Sequence, residues 1–234
     1  DLSGGDITFN NASAQLIKTG SGDISNNLIL ITFANPALDI DDSGSYNGTL
    51  SSNAAYQIDV ANNKVLKMSK NLDISNNLTK ISAGELILEN NVIQRANVAV
   101  NAGTLSHTSS NVTNHYNYNS GTIGGAGTFK MAGWFDCSGV RGTTCSVNTT
   151  AVDLSGGVIL DISGALGIVP AVTLDNVLSI RDGGNLTGGA ITFNNADAKL
   201  IQYGTGNVAN NIVLATFADP ALDISGTSSY SCLL

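Results

Sequence analysis

An all-β solenoid, short strands wound into a parallel β-helix, is the fold class this sequence predicts. Strand-length runs alternate apolar and polar residues along most of the chain, and Gly or Asn separates them. Helix signals are nearly absent, because the 26 glycines interrupt every window long enough to hold a helix. The third observation is an internal repeat. Leu2 to Ile40 returns without a gap as Leu186 to Ile224, with 25 of 39 positions identical, and Tyr46 and Tyr230 keep the same offset. A module that recurs along a chain is the mark of an architecture in which each unit buries its apolar face on a neighbour.

In chain order, Ile7 and Phe9 form the first strand, alternating with Asp6 and Thr8. The run from Leu28 to Phe33 is apolar in both parities, and its second copy keeps Ile212, Val213, Leu214 and Phe217. A strand of that kind is normally buried on both faces. One face fills the core; the other meets either an overlying part of the chain or a second molecule. This makes Ile29, Ile31 and Phe33 candidates for a lateral contact. Leu86 and Leu88, then Val98 and Val100, continue the period-two pattern. Two excursions from the column are expected, over residues 107–120 and 134–150. In the first, His115, Tyr116 and Tyr118 are candidate contact residues, since Tyr offers an amphipathic surface. Trp134 reads as a core plug.

Asparagine pairs recur between the strands. Asn10, Asn11, Asn26, Asn27, Asn76, Asn77, Asn194, Asn195, Asn210 and Asn211 are assigned to structural corners. Asn tolerates left-handed backbone and bonds nearby amides, and side chains at stacked corners can bond along the axis. A coil of about 20 to 25 residues makes the 184-residue offset on the order of eight coils. A repeat spanning whole coils would return each side chain to its own face.

The stretch LTKISAGELILENN from Leu78 to Asn91, followed by VAVNAGTL from Val98 to Leu105, resembles the passenger-associated repeat of bacterial autotransporters. That repeat reads L-x-K-x-G-x-G-x-L-x-L, a turn, then V-N-A-G-T-L; Ser82 and Glu85 depart from it. GTIGGAGTF from Gly121 to Phe129 resembles another phrase of those passengers, and Gly188 to Ile191 matches the GGAI of chlamydial polymorphic membrane proteins. The resemblance implies a right-handed parallel β-helix, extracellular or on a bacterial cell surface, with a two-partner-secreted exoprotein as a related possibility. The family's membrane barrel has no counterpart here, so the resemblance supports passenger material.

A formal charge of −8 argues against nucleic acid, which selects clustered Lys and Arg. No apolar run is long enough for a membrane-spanning helix, so this segment is not expected to insert in a membrane. Any export signal is expected outside the sequence. Charged residues make up only 12% of the chain, leaving solubility to Asn, Ser, Thr and Gly.

Chemistry is sparsely encoded. Asp39, Asp41 and Asp42 form the one carboxylate cluster, a weak calcium candidate, and the second copy keeps only Asp223 of them. Cys137 and Cys145 flank a short loop and are a candidate disulfide or a reduced pair; Cys232 is a free thiol or an intermolecular link. No Ser has the surroundings of a nucleophile, and His107 and His115 lack a third metal ligand. No cofactor and no enzymatic activity are expected. The favoured role is a structural or adhesive solenoid whose partners are itself, through axial stacking or a longer parent chain, and a host-surface glycan or protein. The alternatives are a carbohydrate-active β-helix hydrolase or lyase and a phage-type receptor-binding fibre.

Overall fold

Every strand pairing in the computed structural model is parallel and joins residues 19 to 25 apart, from Val172↔Ile191 to Val98↔Ile123. The structure describes residues 1–108, 115–136, 144–154, 158–161, 165–168, 170–180 and 184–231. Consecutive strands turn a corner, and each strand then pairs with one a full coil away. The result is a β-solenoid with three ladders running along its axis.

Face one starts with Ile7–Asn10, Leu28–Thr32 and Leu50–Ser52. It resumes, in contact but without ladder pairing, at Leu72–Ile74 and continues through Val92–Gln94 and His115–Tyr118. Face two starts with Leu16–Lys18, Leu38–Ile40, Tyr56–Val60 and Leu78–Ile81. Face three starts with the bridges Leu2↔Ile24↔Tyr46 and runs through Val65–Met68, Glu85–Leu88 and Thr104–Thr108. The strand Ile123–Asp136 passes over all three ladders in one coil.

Alternation selects the core. In Tyr56–Val60, Tyr56, Ile58 and Val60 are buried while Gln57 and Asp59 are not. Because strands stack in register, inward residues form apolar rows such as Tyr46, Met68, Leu88, His107 and Met131. Burying each large apolar side chain contributes about 1.5–3 kcal/mol, so the core is distributed along the column with no single centre.

Corners use asparagine as the sequence predicts. Asn77 Oδ1 accepts from the amide of Asn97 one coil on, and Asn97 Oδ1 accepts from that of Thr122. Asn27 bridges Asp6 below and the Thr49 amide above. Asn26 and its copy Asn210 donate to the carbonyls of Gly5 and Gly189, which are also equivalent in the repeat, and Asn76 donates to that of Ser52. Asn11 and Asn195 hold local turns by accepting from the amides of Ser13 and Asp197. Asn10 and Asn194 end strands at the register shifts.

Two expectations are corrected. The repeat does not span whole coils. Thr192, the copy of Thr8, lies on face three, its ladder tracing back through Thr173, Asp153, Lys130, Ser106, Ile87 and Lys67 to Ser45. Likewise Tyr230 lies on face two, whereas Tyr46 lies on face three. The module has moved by one face, because inward and outward alternation is the same on all three and any of them accepts it. The excursions are also shorter than expected. Within 107–120, Thr104–Thr108 and His115–Tyr118 are ladder strands, and within 134–150 so are the end of Ile123–Asp136 and the start of Thr144–Asp153. The remaining parts, 109–114 and 137–143, lie outside the described residues.

Candidate functional site

A corner breaks the ladder and leaves main-chain carbonyls that need donors. Three inward side chains supply them. Lys18 ends a face-two strand, and its ammonium donates to the carbonyls of Gly20, Asp42 (3.0 Å) and Ser43 (2.9 Å). Lys80, one residue before the end of another, is fully buried and donates to the carbonyls of Ser82 and Ala102. Gln94 ends a face-one strand and donates to those of Ala96 and Thr122. In each case one acceptor lies two residues on and another one coil on. Glycine makes room for the lysines: a Cβ on Gly44 would stand 2.7 Å from Lys18 Cε, and one on Gly103 2.6 Å from Lys80 Nζ. Burial holds the Lys80 ammonium down to about 8, opposed by Asp59 and Glu85.

Tyr116 and Tyr118 do not offer the contact surface predicted of them, because parity turns both rings into the column, where they are buried. Tyr116 stacks on Phe135 (5.2 Å between centroids), meets His107 and Phe129 edge-on, and donates to Gln94 Oε1 at 2.7 Å. Tyr118 donates to the carbonyl of Gly121. His115 is half-buried in the outward parity, its amide donating to Asn91 Oδ1. His107 lies inside, and burial pushes its imidazole down to about 4, with the Asn90 carbonyl opposing and His115 adding to the shift. The core plug expected of Trp134 lies outside what the structure describes; its neighbour Phe135 is buried.

Ile31 is exposed, and Ile29 and Phe33 are half-buried. Ile29 and Ile31 line a shallow depression with Leu30, Ser51, Ser52 and Asn53, at the point where the face-one ladder is interrupted. The candidate disulfide of Cys137 with Cys145 lies outside the described residues, as does Cys232; only the Cys145 backbone is placed, opposite Leu166.

The three aspartates are not brought together as a cation site. Asp42 turns onto Lys64 at 2.9 Å and caps the Ser43 amide, and these contacts hold its carboxyl below the usual range. Asp39 accepts from Gln15 at 3.5 Å and is the register partner of Asp59; burial, then Asp41 and Asp59, raise its carboxyl. Asp41 is exposed at the corner. Among the described residues, no group of three or more His, Cys, Asp or Glu is placed to hold a metal ion. Further ion pairs, Lys67–Glu89, Arg95–Asp73, Lys130–Asp153 and Lys199–Asp223, each join neighbouring coils on the surface. Such pairs contribute about 0–1 kcal/mol each.

The residues missed in the sequence are the corner donors. Their signal was available: L-x-K at Leu16 to Lys18 and at Leu78 to Lys80, with an inward parity that buries the lysine, and a glycine about one coil later. No protein-family model, curated protein or solved structure matches the chain.

Proposed function

We propose that the chain is a structural and adhesive column of a bacterial surface or secreted protein, working outside the cell. The observation that carries this reading is the continuous parallel column itself, in which side-chain chemistry is spent on corners and rungs. The two phrases that resemble the autotransporter passenger repeat support it. They fall on consecutive coils in mutual register, Leu78 opposite Val98 and Leu86 opposite Leu105, with Lys80 bonded between them. In this reading the motif encodes a corner, and the outward rows of Asn, Ser and Thr are the surface offered to a glycan or protein of the host. Immunogold labelling of intact producing cells tests it. Label on unpermeabilised cells is expected; label seen only after permeabilisation refutes an extracellular role.

One observation favours a second reading, a carbohydrate-active enzyme. Asp39 and Asp59 are partners on adjacent rungs of face two, rungs stand about 4.8 Å apart, and retaining glycosidases set two carboxyls about 5 Å apart. This reading requires release of reducing ends from a polysaccharide panel and its loss in Asp59→Asn. No release by the unaltered chain removes it.

A further inference from the structure

Asn47-Gly48 is the one Asn-Gly step in the sequence. It turns the corner between Gly44–Tyr46 on face three and Leu50–Ser52 on face one. Packing demands the glycine, because a Cβ at residue 48 would stand 1.9 Å from the main-chain oxygen of Asn26, one coil below. Gly48 is buried, whereas Asn47 is half-buried and reaches solvent. Asn47 stands between Ser25 and Ser69 in the corner row, and all three donate their amides to the coil below.

Its side chain sets Asn47 apart from the other corner asparagines. Asn27 is bonded at both ends of its amide, Asn26 and Asn76 donate to carbonyls, and Asn77 and Asn97 accept from amides one coil on. The side chain of Asn47 has no hydrogen bond among the described residues, and neither has the Gly48 amide. Those two groups are the electrophile and the nucleophile of succinimide closure, a five-membered ring through Asn47 Cα and Cβ. With no Cβ of its own, Gly48 leaves its nitrogen open to approach. We propose that Asn47-Gly48 is a self-modifying site, at which this corner converts its asparagine to aspartate and isoaspartate. The Gly48 nitrogen bonds to Asn47 Cγ and gives up its proton, the Cγ–Nδ2 bond breaks, and ammonia leaves. Water then opens the ring. Attack at Cγ gives aspartate; attack at the main-chain carbonyl carbon gives isoaspartate, with the chain rerouted through Cγ.

Either product adds a negative charge to a chain already at −8. Isoaspartate also lengthens the main chain by one carbon, at a corner already pressed against Asn26. Thr49 is clamped there, its amide donating to Asn27 Oδ1 at 2.9 Å and its carbonyl accepting from the Tyr46 hydroxyl at 2.6 Å. Lengthening the chain loosens those clamps, which lead into Leu50–Ser52, a strand with a ladder partner on one side only among the described residues. The inference goes beyond the scaffold reading and stands or falls without it.

Peptide mapping of the folded chain aged in mildly alkaline buffer, with fragmentation that separates aspartate from isoaspartate, tests it. Residue 47 should convert several-fold faster than Asn27, Asn77 or Asn97, with ammonia released in step and hydroxylamine cutting between residues 47 and 48. Asn47→Ser matches Ser25 and Ser69, so it should keep its circular dichroism and release several-fold less ammonia. In the converted fraction, separated by charge, hydrogen exchange at Thr49 should be faster than in fresh protein. An Asn47 that stays intact in the folded chain overturns the proposal, whatever happens in denaturant, and so does earlier conversion at a bonded corner. Unchanged exchange at Thr49 overturns the loosening. Should Asn47→Ser fail to fold, the mapping of the unaltered chain decides alone.

Discussion

Lowering the pH from 7 to 4 should weaken the column through one residue, His107. Its ring is 2% exposed, in an inward row whose other members include Met68, Leu88 and Met131. Charging it there removes it from water without an anionic partner, and its pKa falls from 6.5 to about 4. A group whose folded pKa is depressed contributes stability that is present above the unfolded value and lost as pH falls through the folded one. The window is therefore 6.5 down to 4. A difference of about 2.5 units at 1.36 kcal/mol each amounts to about 3 kcal/mol. The two carboxyls with shifted titration do not mimic this. Asp42 is lowered, so its loss falls below pH 3.8, and the raised Asp39 has the opposite sign, since its protonated form is favoured in the fold. Denaturant unfolding at pH 7, 5.5 and 4, followed by Trp134 fluorescence, measures the effect. His107→Met matches the row and should leave stability nearly level across the window. Equal pH dependence in the two proteins would refute the assignment to His107.

Lys80 gives the alkaline counterpart. With its pKa depressed from 10.5 to about 8, its contribution grows as pH rises through that interval, about 2 kcal/mol between pH 8 and 9.5. Urea midpoints should rise over that range in the unaltered protein and stay level in Lys80→Met. Above pH 10 the trend reverses, because burial raises the hydroxyls of Tyr46, Tyr56 and Tyr116 and the unfolded chain ionises first. At the corners, Asn97→Ala removes the acceptor of the Thr122 amide and hydroxyl. It should cost about 0.5–1.5 kcal/mol in chemical denaturation, with faster hydrogen exchange at Thr122.

Much of this was legible in the sequence, and the failures share a cause. Period-two alternation at Leu86 to Leu88 and Val98 to Val100 identified strands and their buried sides, and the Asn pairs marked corners. The Asn and Ser around Tyr116 and Tyr118 suggest a loop, whereas the ladder neighbours of Tyr116, Val92 and Phe135, are apolar and inward. Lys80 was read with its motif rather than with its parity. The rotation of the second copy was hidden because a coil takes between 19 and 25 residues, so sequence distance alone does not fix the face. Alternation is a local signal; which rows meet is decided by corner lengths.

The corner donors explain how a three-sided coil tolerates that variation. A strand hands its amides and carbonyls to the coils above and below, but a corner cannot, and a buried carbonyl without a donor costs about 1–3 kcal/mol. A long side chain at the strand end reaches both its own corner and the one above, tying the two coils where the ladder is weakest. Gln94 does this without charge. Lys18 and Lys80 do it with three available protons each, at a desolvation cost that depresses Lys80. The choice between them sets pH sensitivity while the corner keeps its shape. Gln202, which stands in the second copy where the first has Lys18, does not repeat the device: its Oε1 accepts from the Tyr230 hydroxyl at 2.8 Å, and its buried Nε2 has no acceptor among the described residues.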